Sequence, residues 1–117
     1  MSNQELAQYG ERLAVQFLKD EKLKILDVNY SCKLGEVDII AKDRGVIVFC
    51  EVKTRKNKNT IHPFDAITPR KLNTISKVGQ TFLIKNNLID VDYRIDAIAI
   101  YFANGDPRIK WIKNCTS

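Results

Sequence analysis

The sequence predicts an α/β fold, a mixed β-sheet flanked by helices with the elements in the order α-β-β-β-α-β-β. Three observations carry this expectation. The stretch GEVDIIAKDRGVIVFCEVKTR, residues 35–55, holds two strand-length apolar runs around a Gly-containing break. Two other stretches place apolar residues at helical spacing behind recognisable caps. After the second of these comes an alternating, β-branched run, so a helical crossover returns the chain to the sheet.

The elements follow in order. Ser2 and Glu5 have capping-box spacing, and Leu6, Tyr9, Leu13 and Phe17 recur at helical intervals to about Lys19. Ala7, Ala14 and Leu18 widen that face. Gly10 falls near its centre, where a missing side chain lets the backbone approach a sheet closely. Lys24 to Cys32 reads as the first strand, with Lys33-Leu34-Gly35 as a turn. Glu36 to Lys42 is the second strand. Val46 to Lys53 or Arg55 is the third, apolar on both faces as a central strand should be. Thr54 to Thr60 is basic, amide-rich and loop-like, and Ile61 to Asp65 is irregular. Thr68 caps a second helix with Pro69 at its first position. Its buried stripe is Leu72, Ile75, Gly79, Phe82 and Leu83, and it ends at Asn86-Asn87. Arg94 to Phe102 is a strand, Asn104-Gly105-Asp106-Pro107 a turn, and Arg108 to Lys113 a last strand.

The chain has 117 residues, which suits one domain, residues 1–117, with one core. Apolar residues make up 44% and charged residues 28%, a globular balance rather than a disordered one. The net charge of +5 favours a polyanionic partner such as nucleic acid. Cys32, Cys50 and Cys115 form an odd set without a CxxC spacing, which argues against a zinc site or a disulfide framework. Free thiols suit a reducing compartment. The polar amphipathic start does not resemble a signal peptide, and no apolar run reaches membrane-spanning length. The expectation is a cytoplasmic protein with no membrane partner and no small-molecule cofactor.

The chemistry lies in the charges that interrupt the two central apolar runs. If Arg44 and Gly45 form a two-residue turn, Asp43 faces Val46, Asp38 faces Glu51 and Glu36 faces Lys53. With side chains alternating every residue, Glu36, Asp38, Glu51 and Lys53 then share one face. Paired carboxylates on adjacent strands are hard-oxygen donors for Mg²⁺ (or Mn²⁺), with the Val52 carbonyl as a further ligand. Such an ion polarises a phosphodiester and stabilises the departing oxygen. Lys53, two residues beyond Glu51, is placed to position or activate the attacking water. Glu36, beside it, is expected to tune or tether that lysine. Glu11 sits at the edge of the first helix's apolar face, either as a half-exposed carboxylate or as one leaning towards this acidic face. Arg55, Lys56 and Lys58 follow directly as phosphate contacts, and Arg70, Lys71 and Lys77 offer more on the second helix. Arg94 and Asp96 are expected to pair structurally. His62, the one histidine, is expected in a loop or substrate contact.

Gly10-Glu11, Asn29-Tyr30, Gly35-Glu36-Val37-Asp38, Val48-Phe49-Cys50-Glu51-Val52-Lys53-Thr54-Arg55, Lys71 and Arg94-Ile95-Asp96 together carry a resemblance that covers most of the chain. The sequence resembles the YraN-like family of small bacterial uncharacterised proteins, which is related to the PD-(D/E)xK nucleases and, within them, to archaeal-type Holliday-junction resolvases. Val37 stands where the superfamily's name has proline, Cys50 where Val is usual and Ile95 where Phe is usual. The resemblance implies a restriction-endonuclease-like fold and a metal-dependent endonuclease that hydrolyses DNA, with branched or Holliday-junction-like DNA among the substrates. It implies Asp38, Glu51 and Lys53 as the catalytic triad and Glu11 as an accessory acid. Junction resolution needs two symmetric cuts, which a homodimer would supply. The same residues also suit a nucleic-acid-binding module of this fold with little or no catalysis, or an interaction domain that uses a sheet edge.

Overall fold

The computed structural model describes residues 1–57 and 67–116. Its elements are α1 (Asn3–Asp20), β1 (Lys24–Cys32), β2 (Gly35–Asp43), β3 (Val46–Thr54), α2 (Pro69–Lys85), β4 (Tyr93–Ala103) and β5 (Asp106–Ile112). The sheet order is β1-β2-β3-β4-β5, parallel only between β3 and β4 and antiparallel elsewhere. The mixed α/β architecture and the element order are those the sequence predicts. Among the described residues no helix is long and apolar enough to cross a membrane.

Both helices start as their cap residues dictate. The Ser2 hydroxyl accepts from the Glu5 amide while the Glu5 carboxylate accepts from the Ser2 amide, and Thr68 accepts from the Lys71 amide ahead of Pro69. The helices cover opposite faces of the sheet. Ala14 and Leu18 of α1 pack with Ile39, Val48, Cys50 and Ile98, whereas Ile75 and Val78 of α2 pack with Ile40, Ile47, Phe49 and Ile95. β3 therefore buries residues on both sides, which rules out the solvated edge hairpin its charges alone would permit.

Several local expectations change. The fully buried line of α1 is Gly10, Ala14 and Leu18, while Leu6, Tyr9, Leu13 and Phe17 flank it half-buried and Ala7 is exposed. The reason is close approach: a Cβ on Gly10 would overlap the Thr54 hydroxyl, so the helix sits tight against the sheet at that glycine. Gly35, expected in the first turn, already pairs with Cys32, and the turn before β5 is likewise shorter than expected. Asn104 and Gly105 alone make it, both at positive φ (52° and 83°), and Asp106 already pairs with Ala103. Pro107 then sits in β5, an edge strand where its missing amide costs no ladder bond.

Candidate active site

The β2–β3 hairpin closes through Arg44 and Gly45 at φ 51° and 92°, the doubly positive turn that matches strand twist. Its ladder runs from Asp43↔Val46 to Ile39↔Cys50, the predicted register, and stops there. The next step would pair Asp38 with Glu51. Instead Asp38 reaches across with its side chain, and its Oδ2 accepts the Val52 amide at 2.8 Å. A carboxylate thus replaces a strand partner where the two strands part.

Strict alternation fails at this point. Val37 joins Ile40 in the core on the α2 side, although the two are three positions apart and strict alternation would put them on opposite faces. Across the ladder, Asn29 of β1 adopts φ 56° between the pairs Val28↔Ile39 and Tyr30↔Val37, so the kink lies beside Asp38. The expectation that Glu36, Asp38, Glu51 and Lys53 share one regular face is corrected accordingly. Asp38 points into the gap between strands, and Glu36 is exposed at the rim. Among the described residues Lys53 pairs with Glu51, its Nζ 3.7 Å from Oε1, rather than with Glu36. The physical reason is that diverging strands carry Glu36 away from its nominal partner.

On β3 alternation holds, so Glu51 follows Ile47 and Phe49 towards α2. There it meets Lys71 from the first turns of that helix, whose Nζ is also 3.7 Å from Oε1. The Glu51 side chain is only 6% exposed, against 36% for Lys53 and 39% for Lys71. At this length both contacts are ion pairs rather than tight hydrogen bonds. From the other face, the close seat of Gly10 on Thr54 brings α1 against the end of β3 and turns Glu11 into the same cleft as Glu36, Asp38, Glu51 and Lys53. The cleft encloses about 790 Å³.

The acids in this cleft destabilise one another's charge. Burial, followed by the neighbouring Asp38 charge, pushes the Glu51 carboxyl up to about 7, against the pull of Lys71 and Lys53. Burial raises Asp38 as well, and the Val52 amide bond only partly offsets it. Burial and the Asp38 charge raise Glu11, to which Asn29 supplies an opposing hydrogen bond. Among the described residues no three Asp, Glu, His or Cys side chains are gathered into a ready ligand set. Two carboxylates nevertheless fit Mg²⁺, which retains several waters and takes one or two protein oxygens. Val52 meets the site through its backbone, its amide engaged by Asp38.

A model of the uncharacterised protein family UPF0102 matches residues 10–100, a span that holds Glu11, the hairpin and Lys71. The chain belongs to this family. A UPF0102 protein of Geotalea uraniireducens is 44% identical over 113 residues, covering 96% of this chain and 89% of the relative. One from Clostridium botulinum (strain Kyoto / Type A2) is 43% identical over 115 residues, covering 96% and 94%. One from Clostridioides difficile (strain 630) is 40% identical over 114 residues, covering 97% and 98%.

In this UPF0102 chain the predicted basic residues divide. Arg55 and Lys56 are exposed and line the cleft, with the Arg55 guanidinium donating to the Thr54 carbonyl at 3.0 Å. Arg70 is exposed on α2 and is not among the cleft-lining residues. Lys58 and His62 lie outside the described residues. Arg94 and Asp96 do pair, at 3.0 Å. Sequence reasoning missed two contributions: the kink at Asn29 and the contact of Lys71 with Glu51. Asn is the non-glycine residue that best tolerates positive φ, which was the available signal for the first. The second depends on how α2 docks and leaves no local signature.

Proposed function

We propose that this protein is a metal-dependent endonuclease of the restriction-endonuclease-like, PD-(D/E)xK type that hydrolyses phosphodiester bonds in DNA. The observation that carries the reading is the break in the β2–β3 ladder. It sets Asp38 and Glu51 against each other in a low-dielectric cleft, with Lys53 on Glu51 and Glu11 facing them from α1. Asp38, Glu51 and the Val52 carbonyl would hold Mg²⁺ or Mn²⁺. When bound, the ion supplies charge neutralisation and polarisation at the scissile phosphate. Lys53 orients the attacking water and offsets phosphate charge. Glu11 completes the acidic cluster, and Glu36 adds negative potential at the rim. Arg55, Lys56 and Lys58 carry the flanking phosphates, and Arg70 and Lys71 extend that basic surface along α2. Branched DNA, including four-way junctions, is the favoured substrate class, and symmetric cutting of a junction would take two copies of the chain. The three free thiols suit action in the cytoplasm.

The test is cleavage of branched, flapped, single-stranded and duplex DNA in Mg²⁺ or Mn²⁺. Glu51→Ala and Lys53→Ala should abolish cutting while leaving the circular dichroism spectrum unchanged. No cleavage of any of these substrates by the wild-type chain, with no metal bound, ends the reading. A second reading has its own support. Lys53 and Lys71 already stand at ion-pair distance from Glu51, and Asp38 already bonds Val52, so each acid has a partner from the protein itself. A nucleic-acid-binding module would bind DNA without metal, in a salt-dependent way, and would keep doing so in Glu51→Ala.

A further inference from the structure

We infer that Lys71 is a displaceable counter-ion of Glu51, a second active-site lysine that holds this carboxylate in the metal-free protein and turns to substrate phosphate when a divalent ion takes its oxygen. The inference rests on the nuclease reading above and deepens it. Three observations carry it. Lys71 and Lys53 approach the same oxygen of Glu51, each at 3.7 Å, so one nearly buried carboxylate oxygen is shared by two cations. An ion binding at that oxygen must compete with both. The two lysines differ in how they are held. Lys53 is on β3, two residues from Glu51, so the strand sets its backbone relative to that carboxylate. Lys71 reaches the carboxylate from a separate element, the N-terminal turns of α2; its side chain is 39% exposed, close to the 36% of Lys53, and its long stem can swing outward without disturbing the core. A residue of this kind acts through Glu51 before metal binds and on phosphate afterwards. It therefore couples the two binding events, and the coupling is reciprocal.

The coupling has a signature that a structural ion pair would lack. Removing the charge should tighten metal binding and, with metal present, weaken DNA binding. Calorimetric titration of the full chain with Mn²⁺, without DNA, tests the first half. Lys71→Met should bind Mn²⁺ roughly fivefold tighter than wild type, the scale of a partly exposed ion pair, and Lys71→Arg should restore the wild-type value. For the second half, the salt dependence of binding to cleavage-resistant phosphorothioate DNA is compared with and without Mn²⁺. With Mn²⁺ the slope for Lys71→Met should be shallower than wild type by about one phosphate contact. Without Mn²⁺ the two slopes should coincide. Unchanged or weaker Mn²⁺ affinity in Lys71→Met, or equal slopes under both conditions, overturns the inference while leaving the nuclease reading intact. A wild-type chain that takes up no Mn²⁺ overturns both.

Discussion

Asp96 and Glu51 are carboxylates on adjacent central strands, one register step apart: Asp96 of β4 faces Cys50, and Glu51 faces Ala97. Their surroundings are opposite. Asp96 is fully buried on the α1 side and its oxygens are satisfied at short range. It accepts from the Arg94 guanidinium at 3.0 Å, from the Trp111 indole at 2.9 Å and from the Asn114 amide at 2.8 Å. Arg94 in turn bonds Asp43 at 2.9 Å. That network ties β2, β4, β5 and the C-terminal residues together. Glu51, on the α2 side, has two cations at ion-pair distance among the described residues and a second acid nearby that works against its charge. A buried carboxylate with every lone pair used is architecture. One left short of compensation beside another acid is a place where a cation is stabilising.

This contrast can be broken by substitution. The largest effect is expected at the architectural acid. Asp96→Ala should lose about 4 kcal/mol of stability, because it strands the Arg94 guanidinium and the Trp111 and Asn114 donors in a dry site. Urea unfolding measures it, and a loss under ~1 kcal/mol would erase the contrast.

Glu51→Gln should do the opposite. The folded protein holds the Glu51 carboxyl up to about 7, above its ordinary 4.5, so folding favours the protonated form. Stability from this group is fully present below its ordinary value, falls as pH rises through that window, and is lowest above about 7. The loss amounts to about 3 kcal/mol, and the raised Asp38 and Glu11 groups add to it in the same direction. Metal-free Glu51→Gln should therefore be more stable than wild type at pH 8 and should show a flatter stability–pH profile. Unfolding curves at pH 5 and pH 8 for both proteins decide the point.

Gly10→Ala is expected to cost about 2 kcal/mol, since the new methyl meets Thr54 and pushes α1 off β3. It should also impair the site by moving Glu11. Cleavage that falls by no more than the lost stability explains would detach Glu11 from function. The smallest effect belongs to the rim. Arg55→Ala should change stability by less than ~0.5 kcal/mol yet reduce the salt slope of DNA binding by about one phosphate contact.

The two acids also differ in how far they can be read from residues alone. The hairpin register was legible because Arg44-Gly45 permits a two-residue turn and the flanking runs fix the faces. The close approach of α1 was legible from Gly10 in a helix face, while Glu11 stayed open between a half-exposed carboxylate and one turned to the cleft. The pairing of Arg94 with Asp96 followed from their spacing on one strand face. What was not legible is the departure from regularity. Strict alternation places Asp38 on the same face as Ile40, whereas in the fold the kink at Asn29 and the end of the ladder redirect it onto Val52. Trp111 and Asn114 as partners of Asp96 depend on how β5 and the tail return to β4, and Lys71 depends on the docking of α2. Each is a long-range packing outcome with no local period to announce it.

The central claim is that the strain between Asp38 and Glu51 is relieved by a divalent ion. Thermal unfolding of wild type and Glu51→Gln at pH 8, with and without Mn²⁺, tests it most directly. Saturating Mn²⁺ at ~100 times its dissociation constant should stabilise the wild-type chain by about 2.7 kcal/mol. Glu51→Gln should start more stable and gain little. A wild-type chain that Mn²⁺ leaves unmoved, or one that gains no more than Glu51→Gln, would contradict the account.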